Sequence, residues 1–136
     1  MLPLEYVVIG TPKSLRASGK SKQDWKRRIR AAATAALPAI APVSAASVRV
    51  TVVYFYVQTD LDTDNILKPI LDAMKDLVYE DDKQVIDIIA AKRDLAVSYA
   101  LSGVSPVVVA QLVSAATDPK DFIFVRVEAA NEGVLP

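Results

Sequence analysis

Asp62, Asp64 and Asp82, with Lys68 among them, are the residues of this chain whose types and spacing could do chemistry. Carboxylates repel one another, so a fold that gathers several of them has a cation to bind. Hard oxygen donors suit Mg²⁺ or Mn²⁺. Such ions serve phosphodiester chemistry by polarising phosphoryl oxygens and activating water. The chain contains no Cys and no His, which excludes disulfides, thiolate and imidazole ligands and histidine-based triads. Any metal here must be held by oxygen.

The elements on either side decide whether these groups can meet. Val48 to Val57 alternates along its length and reads as a strand. If extended geometry persists past it, Asp62 and Asp64 project from the same side. Ile66, Leu67, Ile70, Leu71, Met74, Leu77 and Val78 then recur at helical spacing, with Asp64 or Asn65 as N-cap. Pro69 would suit a start nearer Leu67. Lys68 falls one turn beyond Asp64, so its ammonium can return to that mouth. Asp81 and Asp82 occupy the turn before a strand over Val85–Ala91, and a strand running back could carry one of them to the cluster. Taken singly, each Asp is as readily a turn or cap residue. The run Asp60-x-Asp62-x-Asp64 opens like a calcium loop. Asn65 stands where that loop needs Gly, however, and Leu71 where it needs Glu, so this reading fails.

The rest of the chain predicts a strand over Leu4–Ile9 and a helix from Ser18 or Ser21 to about Leu37, with Trp25, Ile29, Ala32, Ala33 and Ala36 on one face. Ser105-Pro106 opens another helix reaching about Ala116, and Phe122–Ala129 is the last strand. The expected fold class is α+β, a small mixed β-sheet with helices in the order β-α-β-α-β-α-β. The 136 residues, 52% hydrophobic and 24% charged, make one domain over 1–136. No apolar run reaches membrane-spanning length and no signal peptide is visible, so a cytoplasmic location, beside the nucleoid if DNA is bound, is expected.

Net charge is zero but unevenly spread. Residues 1–40 hold eight cations (Lys13, Arg16, Lys20, Lys22, Lys26, Arg27, Arg28 and Arg30) against Glu5 and Asp24. Residues 59–94 hold nine Asp and Glu80 against five Lys or Arg. A basic first third beside an acidic middle could form a phosphate-attracting rim around a metal centre. Alternatively, both are ordinary solvated faces.

The segment Asp62-Thr63-Asp64-Asn65-Ile66-Leu67-Lys68-Pro69-Ile70-Leu71-Asp72-Ala73-Met74, followed by Asp81-Asp82-Lys83-Gln84-Val85, resembles the signature of the RusA-type Holliday-junction endonucleases. That pattern is Asp-x-Asp-Asn, a Lys three positions after the Asn, Asp-Ala-Leu, then Asp-Asp-x-Gln-Val. Met74 replaces the Leu. The resemblance implies a structure-specific endodeoxyribonuclease acting at four-way junctions in recombination and repair. It implies that Asp62, Asp64 and Asp82 ligate Mg²⁺ (or Mn²⁺), that Lys68 is catalytic and that the protein is a homodimer. Asp72 either steadies the site or sits on the helix surface, and Asp81 is a further supporting candidate. The eight N-terminal cations would contact DNA phosphates. The chain departs from the pattern in its neutrality and in an inserted helical segment at about 95–120, expected to pack beside or within the dimer interface. The rival is a non-catalytic DNA-binding module that retains the fold. A small cation-binding structural domain would not need the basic first third.

Overall fold

The computed structural model describes residues 2–14, 16–58 and 61–136. Asp60, the first position of the rejected calcium loop, lies outside the described residues. The elements run β1 (Leu4–Ile9), α1 (Gly19–Ala36), β2 (Val48–Tyr56), α2 (Thr63–Met74), a one-turn 3-10 helix (Asp82–Gln84), β3 (Val85–Asp94), α3 (Pro106–Thr117) and β4 (Phe122–Ala129). This is the expected α+β order. The four strands form one mixed sheet in the order β1-β4-β2-β3. β4 runs antiparallel to both β1 and β2, and β2 runs parallel to β3.

Strand alternation divides the apolar side chains between two faces. Tyr6, Val50, Val52, Tyr54, Val125 and Val127 point to one face. They form the larger core with Trp25, Ile29 and Ala33 of α1 and Ile66, Ile70, Ala73 and Met74 of α2. Phe55, Phe122 and Phe124 point to the other face, where α3 covers them with Val108 and Ala115. Phe55 and Phe122 stack with ring centroids 4.5 Å apart. The insertion therefore packs on its own sheet, and Val113 remains 64% exposed on its outer side.

Two boundaries differ from expectation. The helix begins at Thr63 with Asp62 at its N-cap, so extended geometry stops at Asp62 and Asp64 lies in the first turn. Pro69 falls inside the helix, where it removes one backbone donor. The helix also ends at Met74. Val78 and Tyr79 complete the apolar stripe from the following turn, because burial rather than helical periodicity places them. No described helix is long and apolar enough to cross a membrane.

Candidate active site

The site is built along the outer face of α2. Its inner face is anchored by Ile66, Pro69, Ile70, Ala73 and Met74, all buried, which fixes the helix rotation. Asp64, Lys68 and Asp72 are spaced four residues apart and so share the outward stripe. Lys68 Nζ donates to Asp72 Oδ1 at 2.8 Å and lies 3.6 Å from Asp82 Oδ2. Its ion pairs thus run to Asp72 and Asp82, toward the C-terminal end of the helix rather than back to the mouth at Asp64. The hydrogen bond to Asp72, and then that carboxylate's charge, hold the lysine above its ordinary range, so it stays an ammonium. Tyr79 closes the floor beneath. Its hydroxyl donates to the Leu71 carbonyl at 2.6 Å, and burial, then Asp82 and Asp72, push its pKa up.

The Asp81–Val85 turn explains why Asp82 rather than Asp81 faces the lysine. Asp81 caps the 3-10 turn, accepting from Lys83 N at 3.1 Å. Gln84 Oε1 accepts from Glu80 N at 2.7 Å and from Asp81 N at 2.8 Å. Gln84 Nε2 donates to the carbonyls of Ser44 at 2.7 Å and Ala46 at 2.8 Å. One side chain therefore clasps the turn to the linker before β2, and Asp82 is left pointing outward. The Asp-x-x-Gln spacing is a capping-box pattern, so this role had a local sequence signal. Asp121 had none. It accepts from Tyr54 Oη at 2.6 Å, Thr11 Oγ1 at 3.0 Å and Val57 N at 2.8 Å. By these bonds it fixes the chain leaving β2 toward Asp62, from about 60 residues away.

Asp62 stands at the N-cap without accepting a capping bond, and Asp64 is exposed in the first turn. Lys92 Nζ, from β3, donates to the Leu61 carbonyl at 3.0 Å and pins the entry to this turn. Among the described residues, no group of three or more acidic side chains is placed to hold a metal ion. The structure brings Asp82 to Lys68 and Asp72, and leaves Asp62 and Asp64 at the start of the helix. The donors nevertheless fit Mg²⁺ in kind: they are hard and carboxylate, and such ions need only one or two protein carboxylates beside water and substrate phosphate.

The basic helix lies against this face. Lys26 Nζ is 3.9 Å from Asp72 Oδ2. Arg30 donates to the carbonyls of Ala73 at 2.9 Å and Lys75 at 3.2 Å, satisfying the C-terminal end of α2. Arg28 donates to the Ile9 carbonyl and lies over the Trp25 ring. Arg27 pairs with Asp24 at 2.6 Å. Lys13, Arg16 and Lys20 are exposed ahead of and at the start of α1. Of the eight cations, Arg28 and Arg30 thus have backbone partners that sequence reasoning missed, since a distant carbonyl leaves no local pattern.

A family model described as endodeoxyribonuclease RusA matches residues 11–98. No curated protein matches the chain at a significant level. The matched span takes in α1, β2, α2 and β3, and with them the whole Lys68 cluster. It stops short of α3 and β4.

Proposed function

Because the chain belongs to the RusA endodeoxyribonuclease family, we propose that it is a divalent-metal-dependent nuclease that cuts four-way DNA junctions in recombination and repair. The observation that carries this reading is the placement of Lys68 between Asp72 and Asp82, on a helix face that the basic helix α1 adjoins. Such a face can meet a phosphate backbone with cations and present acidic groups to a single scissile bond.

Asp62, Asp64 and Asp82 would hold the ion, Mg²⁺ by the hardness of its donors. When bound, it supplies a polarised phosphoryl oxygen and an activated water. The chain's own residues do the remainder. Lys68, held protonated, presents a compact positive charge to the anionic transition state or to the leaving oxygen. Asp72 keeps that ammonium at the helix surface until DNA arrives. Gln84 and Asp81 keep the Asp82 turn rigid. Lys13, Arg16, Lys20, Lys22 and Arg27 would neutralise phosphates flanking the cut, which gives affinity without sequence preference. A junction has two symmetric strands to cut, so the working form is a homodimer with two sites.

Cleavage of a labelled four-way junction against linear duplex, with Mg²⁺ and with chelator, tests the reading. Junction-selective cutting that chelation abolishes is expected. Equal cutting of both substrates would remove the junction from the proposal, and no cutting in Mg²⁺ or Mn²⁺ would remove the chemistry.

A further inference from the structure

The start of α2 is not fastened by its own cap. Asp62 is the N-cap residue, with extended backbone at φ −81° and ψ 146°, yet its side chain accepts no capping bond. An Asp at this position ordinarily gives a carboxylate oxygen to the N–H two or three residues on. Here the Asp62 carbonyl closes the first turn, accepting from Asn65 N–H at 3.2 Å. The carboxylate is left for another use, and the helix start has to be held from outside.

Lys92 holds it. This residue stands on β3 opposite Tyr54 of β2, on the sheet face that α2 covers. Its Nζ donates to the carbonyl of Leu61, one residue before Asp62, in a partly buried bond of 3.0 Å. The Leu61 side chain packs against the larger core. At the other end of the same connection Asp121 accepts from Val57 N, so the chain between β2 and α2 is tied at both ends. A lysine is a poor choice if stability is its whole purpose. A helix N-terminus carries partial positive charge and disfavours a cation. Among the described residues Lys92 forms no ion pair with a carboxylate. The acids that follow it at the start of α2, Asp62 and Asp64, are what its charge complements.

We propose that Lys92 is a positioning residue: by holding the Leu61 carbonyl it sets the place of the uncapped Asp62 carboxylate, so that a divalent ion finds this donor already ordered. The inference rests on the metal role proposed for Asp62 above. Lys92 has two influences on such an ion, and they differ in sign. Its charge repels a cation. Its hydrogen bond orders a donor that binds one. A positioning residue is one in which the second outweighs the first.

The whole chain, without DNA, is titrated with Mn²⁺, and the free ion is read by its electron paramagnetic resonance signal. Lys92→Met keeps the aliphatic stem and removes charge and donor together. It should weaken Mn²⁺ binding about tenfold or more, the usual scale for losing a partner that orients a ligand. Lys92→Arg keeps both charge and donor and should restore most of that affinity. In an Asp62→Asn background Lys92→Met should add little further loss, since the donor it positions is already gone. Tighter binding in Lys92→Met overturns the proposal, because the charge then outweighs the bond. Unchanged affinity overturns it too, and a lower urea midpoint beside that result would mark Lys92 as a fastener of the fold alone. A loss that Arg does not restore, or that Asp62→Asn leaves undiminished, also overturns it. Should Lys92→Met not fold, Lys92→Gln is read in its place by the same outcomes. A wild type that binds no Mn²⁺ removes the metal assignment itself, whereas a wild type that binds, with Lys92→Met its equal, removes only the role of Lys92.

Discussion

α2 and α3 are both twelve residues long and lie on opposite faces of the same sheet, yet they are built to different ends. α2 buries Ile66, Pro69, Ile70, Ala73 and Met74 and turns Asp64, Lys68 and Asp72 outward. α3 buries Val108 and Ala115, and carries no charged residue at all. Deep anchoring on one face gives α2 a single rotation, which is what a charged constellation on the opposite face needs. α3 covers the Phe55, Phe122 and Phe124 cluster, and its outer face is under no such demand. The difference teaches that α3 finishes the sheet by covering its second face, while α2 is held in one rotation and presents the charged constellation.

That division predicts its own hierarchy of effects. Asp64→Asn keeps size and removes an anionic donor, so junction cleavage should fall by more than about a hundredfold, the scale of losing one group that stabilises developing charge. DNA binding measured by mobility shift should persist. Wild-type turnover in this variant would empty the α2 face of its assigned role. Lys68→Ala should cost about a hundredfold in kcat without weakening metal affinity, since an ammonium is no ligand. Lys68→Arg should rescue little, because a planar fork does not replace a compact charge held at 2.8 Å by Asp72. Titration calorimetry showing that Lys68→Ala strengthens metal binding would mean that the lysine acts by occupying the site rather than by chemistry.

Much of this was legible in the sequence, for physical reasons that differ by element. β2 and β4 showed themselves because their alternation is long and each packs apolar side chains on both faces. The start of α3 at Pro106 was plain because Ser-Pro fixes it, although Ser105 makes no capping bond. The start of α2 was misplaced because Pro69 argued for a later boundary. Burial of Ile66 outweighs the one hydrogen bond that proline removes. The direction of Lys68 was not readable at all. Four-residue spacing makes Asp64 and Asp72 equal neighbours, and only the turn clasped by Gln84, which brings Asp82 alongside, breaks the tie. Asp121 and Arg30 act through partners far away in sequence, where no periodicity reaches.

Stability should separate the two helices next. Ile70, fully buried beneath α2, should cost roughly 2–5 kcal/mol when replaced by Ala. Val108, 5% exposed beneath α3, should cost about 2 kcal/mol, for the two methyl groups removed and the small cavity left. Urea unfolding with an unchanged m-value would compare them directly. A larger loss at Val108 would reverse the ranking of the faces.

The smallest effect is expected at Val113, and it is the sharpest check on what α3 is for. Its side chain is 64% exposed on the outer side of the helix, so Val113→Asp buries no charge and vacates no cavity. Surface changes of this kind alter stability by less than about 0.5 kcal/mol. Asp at this position lies in the second half of α3, where the helix dipole disfavours an acid slightly, and no acid or base on the helix offsets that. If α3 only finishes the fold, the variant should unfold, sediment and cut junctions as the wild type does. A dimer that dissociates on this substitution alone would place its interface at the insertion, and would make α3 an assembly element rather than a cover for the three phenylalanines.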